Sequence, residues 1–294
     1  MKRIFVSLLL LMILGLWAAQ PVYAQGTEPI AENMELKTYR NASVGGKLNA
    51  YDPEGGELKY SLTTEPVKGK LELNEDGSFV YTPEEGKKGR DYFGYKVSDA
   101  DGNISQEATV IIRIEKQNTD VLYSDMDGHP QEYSALLLSE MNVYTGTCAT
   151  GQYCFEPDDP VTRGEFISLC MSALGDGTTA AVLNTGYSDD AVIPVWMKSY
   201  ATEARMTGVY KGESFEADEP ICHDEAALIL NRALGLNNIS YMPVEPGVEN
   251  ETVQACINLN ACGVFDEAGI SPDTVTKADM AKYIAAAISL LNNR

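Results

Sequence analysis

Apolar and polar residues alternate along the first third of the chain and recur every three or four residues along the rest. Between about Gly26 and Gln117 short alternating runs are separated by turn residues. They are Leu58-Lys-Tyr-Ser-Leu62, Leu71-Glu-Leu73, Phe79-Val-Tyr81, Tyr92-Phe-Gly-Tyr-Lys-Val97 and Ala108-Thr-Val-Ile-Ile-Arg-Ile114. A period of two sends successive side chains to opposite faces and predicts half-buried strands. Asn74-Glu-Asp-Gly77 between the second and third runs predicts a hairpin turn. About seven strands in roughly ninety residues predict an all-β Greek-key sandwich, with Tyr81, Phe93 and Tyr95 in its core.

A short polar stretch at 118–121 ends this pattern, and the period becomes helical. Apolar stripes predict helices over Tyr133–Met141, Gly164–Leu174, Pro194–Met206, Glu225–Leu234, Thr252–Ala261 and Ala278–Leu291. Gly175, Gly208 and Gly235 supply stops. The helices fall into three copies of helix, loop, helix. Tyr123-Ser124-Asp125 opens the first copy and Tyr187-Ser188-Asp189 the second, while Ser240-Tyr-Met-Pro243 is a poor opening for the third. The second helix of each copy follows a turn: Phe155-Glu-Pro-Asp-Asp-Pro-Val-Thr-Arg-Gly-Glu165, Phe215-Glu-Ala-Asp-Glu-Pro-Ile-Cys-His-Asp-Glu225 and Ile270-Ser-Pro-Asp-Thr-Val-Thr-Lys-Ala-Asp279. Repeats of this kind are units that bury their apolar faces against one another. The expected division is 25–118 for the sandwich, then 119–180, 181–238 and 239–294 for the copies.

Charge and cysteines narrow the setting. Lys2-Arg3, an apolar run from Ile4 to about Ala19, and Val22-Tyr23-Ala24 read as a secretory signal peptide over 1–24, too short an apolar run for a span. The rest is expected to be exported and soluble, with no further transmembrane segment. Its removal leaves 20 basic against 43 acidic residues, a net of −23. So acidic a chain argues against nucleic acid and anionic membranes as partners. An even count of six cysteines in an exported chain suggests disulfides. Cys148 and Cys154 flank a Gly-containing loop and could staple it. Cys256 and Cys262 share that spacing, but on a helix it separates them along and around the axis. A metal site is the weaker reading, because no pair has CxxC spacing and only His129 and His223 could assist.

The string from Glu65 to Pro83, with Gly89-Arg-Asp-Tyr-Phe-Gly-Tyr-Lys-Val-Ser-Asp99, resembles the bacterial cadherin-like repeat of exported adhesins. That resemblance implies a spacer or adhesive module of unknown partner. Asp99, Asp101 and Asn103 place oxygens at alternate positions, as calcium loops do. The loop lacks the later Glu of an EF-hand, so a solvated Asp-Gly turn is the preferred reading and calcium the alternative; no other cofactor is expected.

Residues 121–294 resemble the S-layer homology domain. The family pattern has an aromatic-Ser-Asp opening, a Trp early in the first helix, a Phe-x-Pro-x-x-Pro turn and Thr-Arg-Ala-Glu at the second helix. The resemblance implies an all-α pseudo-trimer of three copies whose grooves hold a secondary cell-wall polysaccharide, often pyruvylated. Thr162-Arg163-Gly164-Glu165 matches with Gly for Ala, and Thr162 with Glu165 forms a capping box. Arg163 then projects from a helix start, where a guanidinium can take a carboxylate bidentately. Copy two has Cys222-His223-Asp224-Glu225, and His223 is charged only below about neutrality. Copy three has Thr276-Lys277-Ala278-Asp279, a point charge instead of a fork. Asp125, Asp189 and Trp196 match the family's Asp and Trp, with His129-Pro130 in the Trp region of the first copy; Trp196 serves a core equally well. The glycan-binding set implied is thus Thr162, Arg163, Glu165, Asp125, Asp189, Trp196, Thr276 and Lys277.

Together these readings give an exported protein held non-covalently at the cell wall and surface, its cadherin-like domain projecting. The alternative is an extracellular adhesin or assembly subunit whose degenerate copies contact proteins. An enzyme is not expected: there is no Gly-x-Ser-x-Gly, HExxH or P-loop, and only two histidines. Nor does either architecture hold two carboxylates across a cleft, as a glycosidase would need.

Overall fold

A computed structural model describes residues 26–175, 182–236, 250–265 and 271–292. The signal peptide over 1–24 and the third copy's opening at 240–243 lie outside the described residues, as do the boundaries at 180/181 and 238/239.

Among the described residues nine strands come before any helix: β1 (Ile30–Ala31), β2 (Met34–Tyr39), β3 (Val44–Lys47), β4 (Ala50–Tyr51), β5 (Lys59–Thr64), β6 (Gly69–Leu73), β7 (Ser78–Pro83), β8 (Gly89–Ser98) and β9 (Ala108–Glu115). The seven longer ones form a four-stranded sheet, β2-β9-β8-β5, and a three-stranded sheet, β3-β7-β6. β2 runs parallel to β9, while the other pairs in both sheets are antiparallel. The predicted hairpin is β6–β7, with Leu71 opposite Tyr81. Inward residues of the two sheets meet in one core, where Phe79 and Phe93 pack edge to face at 5.3 Å and Tyr81, Tyr95, Val110 and Ile112 are buried. β3 carries almost no strand signal, since its sequence is Val-Gly-Gly-Lys. Its glycines answer to close neighbours: a Cβ on Gly46 would lie 2.7 Å from the Phe79 ring, and one on Gly45 would lie 2.7 Å from the Pro130 Cβ.

The Asp99 loop closes on itself. The Asp99 carboxylate accepts the backbone N–H of Asn103 at 2.9 Å and its side-chain amide at 2.7 Å. Among the described residues no group of three His, Cys, Asp or Glu could hold a metal ion.

Six helices follow among the described residues: α1 (Glu132–Glu140), α2 (Arg163–Leu174), α3 (Lys198–Thr207), α4 (His223–Ala233), α5 (Asn250–Ala261) and α6 (Lys277–Asn292). A small hairpin, β10 (Thr147–Ala149) with β11 (Gln152–Cys154), sits between α1 and α2. It overturns the expected staple. Its register sets Cys148 opposite Tyr153 and Cys154 opposite Thr147, so the two thiols fall on alternate faces. All six cysteines are free thiols.

Each copy ends its first helix in the same way. Asn142, Gly208 and Gly263 adopt positive φ of 55°, 74° and 69°. The residues that follow, Val143-Tyr144, Val209-Tyr210 and Val264-Phe265, fold back so that their backbone N–H groups reach carbonyls of the last turn. Tyr144 donates to Leu138, Tyr210 to Ala204 and Phe265 to Leu259.

Three backbone bonds among equivalent residues close the copies into a ring. Val161 N–H donates to Val275 O at 2.9 Å, Val275 N–H to Ile221 O at 2.9 Å, and Ile221 N–H to Val161 O at 3.0 Å. These bonds set Val161, Ile221 and Val275 at one position, each a residue before its helix cap. All three ring residues are buried, and one apolar core runs through the copies.

That core also takes Tyr39 and Ala42 from the sandwich. The stretch at 118–121 is bound in place. Glu140 accepts the backbone N–H groups of Asn118 at 2.8 Å and Thr119 at 2.5 Å, and Val121 is buried. Beside it, Gly45 N–H donates to Pro130 O at 2.7 Å, Tyr133 N–H to Ser43 O at 3.1 Å, and Ser43 N–H to the Glu132 carboxylate at 2.8 Å. Burial pushes the Glu132 carboxyl up from 4.5 to about 7, with the nearby Asp127 charge adding to it and hydrogen bonds from Ser43 and Gly128 opposing.

Two outcomes follow. A raised carboxyl favours the protonated, docked form, so the joint's contribution is complete below about pH 4.5 and fades as pH rises through about 7. Solution scattering should show the longest dimension growing across that window in the parent and staying constant in Glu132→Gln; a flat parent profile would contradict the linkage. For the Asp99 loop, added calcium should leave the melting temperature of the chain unchanged, and a rise of several degrees would restore the ion.

Candidate functional site

The second helix of each copy starts on the turn of a neighbouring copy. Arg163 N–H donates to Glu219 O at 2.7 Å, His223 N–H to Asp273 O at 3.1 Å, and Lys277 N–H to Asp159 O at 2.9 Å. The first copy therefore leans on the second, the second on the third, and the third on the first. Two junctions carry a cation at a helix start beside the aromatic that follows a first helix, Arg163 by Tyr210 and Lys277 by Tyr144, while at the third His223 meets Tyr283.

At the Arg163 junction the helix start is capped by Thr162. Its Oγ1 accepts Glu165 N–H at 3.3 Å, and Glu165 accepts Thr162 N–H at 3.0 Å, completing the expected capping box. Gly164 leaves no room for a side chain: a Cβ there would sit 2.8 Å from Met197 Sδ and 2.9 Å from Ala217 O. Arg163 is largely enclosed, its side chain 13% exposed. Its Nε donates to Glu225 Oε1 at 2.5 Å and one terminal nitrogen to Glu225 Oε2 at 3.3 Å. The other terminal nitrogen donates to Glu216 Oε2 at 2.9 Å, and the guanidinium carbon lies 5.8 Å from the Tyr210 ring centre. Burial disfavours the Arg163 charge, but the Glu225 and Glu216 hydrogen bonds outweigh it and raise its pKa.

The Lys277 junction repeats the plan with a point charge. Thr276 and Asp279 cap the helix reciprocally at 3.2 and 3.1 Å. Lys277 Nζ donates to Glu156 Oε2 at 2.5 Å and Asp159 Oδ2 at 3.4 Å, near the Tyr144 hydroxyl. Burial again disfavours the charge and Glu156 more than restores it. At the third junction His223 Nδ1 and the Tyr283 hydroxyl are 2.9 Å apart, and Phe265 stacks on Tyr283 at 4.2 Å. Asp279 lies 4.0 Å from His223 Nε2.

The eight residues implied by sequence separate into three sets: five that brace turns and helix starts, two cations at the junctions, and an exposed Trp196. Asp125 accepts the backbone N–H groups of Phe155 at 2.9 Å and Glu156 at 2.7 Å, and Asp189 accepts those of Phe215 at 2.8 Å and Glu216 at 2.7 Å. Burial would raise the Asp189 pKa, but these two N–H groups outweigh it and hold it down. Thr162, Glu165 and Thr276 spend their side chains on caps. Arg163 and Lys277 face their junctions. Trp196 is 58% exposed with Val195 beside it at 84%, so it fills no core; its neighbour Met197 packs against Gly164. Two groups escaped the sequence reading. The aromatics Tyr144, Tyr210 and Phe265 carry a signal, a positive-φ residue then Val then an aromatic. Glu156 and Glu216 share the position after the turn Phe.

The second copy lacks a cap, because Cys222 offers no acceptor and Glu225 turns to Arg163 instead. Cys222→Thr should raise the unfolding free energy by about 1 kcal/mol, the usual worth of an N-cap hydroxyl, as read by denaturant titration. A loss of stability would show that the thiol packs better than it caps.

Residues 20–116 match the family described as bacterial cadherin-like domain, and the sandwich is that domain. No curated protein matches the chain. Among solved structures, an endo-fucoidan hydrolase from glycoside hydrolase family 107 is 18% identical over 32% of this chain and 14% of its own, with a TM-score of 0.26. The SrpA adhesin from Streptococcus sanguinis is 15% identical over 35% of this chain and 68% of its own, at 0.24. A SusE-like surface located polysaccharide binding protein from Bacteroides thetaiotaomicron is 16% identical over 31% and 15%, at 0.21. The chain spans a small part of the hydrolase it matches, and scores this low carry no argument about activity. No helix among the described residues is long and apolar enough to cross a membrane.

Proposed function

We propose that this is an exported cell-surface protein whose residues 119–294 form an S-layer homology unit, anchoring it to an acidic cell-wall polysaccharide, with the cadherin-like domain as spacer or adhesive module. The observation that carries this reading is the closed ring of three turn-to-helix junctions, two of which hold Arg163 or Lys277 beside a tyrosine. An aromatic face with a cation at its edge suits a sugar ring bearing an acid group. The bacterial cadherin-like match supports a surface location for the other half. Trp196, exposed next to the residue that packs on Gly164, adds a second flat face within the same pair of copies. A surface of this acidity keeps other polyanions away, so specificity falls to these junctions.

Binding is assigned mainly to Arg163, because a fork fixes a carboxylate at two points and an ammonium at one. The purified chain should pellet with native wall sacculi and stay in solution after hydrofluoric acid has stripped the polymer. Arg163→Ala should reduce pelleting more than Lys277→Ala, in variants whose melting curves show them folded. Equal pelleting with stripped walls would remove the anchor reading; concentration-dependent self-association without walls would favour an adhesin or assembly subunit.

A further inference from the structure

Glu216 and Glu156 occupy one position twice, and at both the backbone is under strain. Their φ angles are 50° and 60°, in the left-handed region that turns usually give to Gly or Asn. Each is pinned there by an aspartate, Asp189 or Asp125, that takes its backbone N–H at 2.7 Å. Each carboxylate then reaches across to the cation of another copy, 2.9 Å to Arg163 and 2.5 Å to Lys277.

These carboxylates exceed what neutrality requires. Arg163 is already paired along its Nε edge with Glu225, and Lys277 also has Asp159. The two partners of Arg163 differ in depth: the Glu225 side chain is 21% exposed and that of Glu216 is 52% exposed. Glu225 is the inner partner and Glu216 the outer one, standing where an incoming anion would arrive. Ser214 Oγ donates to its other oxygen at 2.8 Å, holding the carboxylate without burying it.

Resting on the wall-anchor reading, we propose that Glu216 and Glu156 are internal plugs that hold the place of the ligand's acid group, so that binding is a carboxylate exchange. The glutamate swings outward and the acid group of the polymer takes its place on Arg163 or Lys277. The cation stays paired throughout, which avoids leaving a partly buried charge bare. A tethered competitor is present at high effective concentration, so affinity at one junction is low and several junctions must engage for firm anchoring. A polymer without acid groups cannot displace the plug at all.

The test compares the chain with Glu216→Gln and with Asp218→Asn, an exposed acid of the same turn, so that the change in net charge is matched. Two readouts are taken: pelleting with native sacculi at limiting wall, and the rate at which phenylglyoxal modifies Arg163, followed by peptide mass spectrometry. Glu216→Gln should pellet several-fold better and expose Arg163 to reagent several-fold faster, while Asp218→Asn changes neither by a comparable amount. Equal effects of the two variants, or none from Glu216→Gln in a chain with unchanged melting, overturn the plug. If no form pellets, the anchor reading falls, and the modification rate alone decides: an Arg163 no faster in Glu216→Gln than in Asp218→Asn refutes the plug.

Discussion

Three backbone hydrogen bonds, from Val161 to Val275, Val275 to Ile221 and Ile221 to Val161, set the form of the helical half. Each comes from a residue one step before a helix cap, where the N–H has no partner inside its own copy. A buried N–H without a partner is costly, so each copy needs the next, and three is the number at which the debts cancel. The same bonds fix the register of everything beside them. They bring the N-termini of α2, α4 and α6 against neighbouring turns and decide that Arg163 meets Glu216 and Lys277 meets Glu156. The chemistry of each junction is therefore shared between two copies, and no isolated copy contains a site.

A second set of backbone bonds fixes the sandwich to this ring. The strand edge at Ser43–Gly45 meets Pro130–Tyr133, and the Tyr39 and Tyr133 rings pack at 5.1 Å. Pro130 fits there only because residue 45 has no side chain. In the second copy the region around Val195 and Trp196 is open to solvent. Equivalent sequence positions thus serve different ends: one copy gives its corner to an internal joint, while another keeps it open.

The sandwich and the six described helices were legible from periodicity, because their apolar faces recur, and glycines mark the ends of α2, α3 and α4. The strand β3 was not, since Val-Gly-Gly-Lys reflects close approach by Phe79 and Pro130 and carries no alternation of its own. The proposed disulfide failed on a property that loop length cannot express, the face of the hairpin on which each thiol falls. At the junctions, composition identified the cations and missed their partners. Asp125 and Asp189 match a family pattern whether they bind sugar or brace a turn, and hydrogen bonds alone tell the two apart.

The parallel pairing of β2 with β9 has a mechanical meaning. Six residue pairs, from Met34 with Val110 to Tyr39 with Glu115, join the second strand to the last strand of the sandwich, which leads into the helices. Tension applied between the amino end and the helical half would pull these strands in opposite directions along their own length. The bonds between them are then loaded together in shear and cannot open one at a time. A sandwich wired in this way meets extension with a shear seam in place of a peeling one.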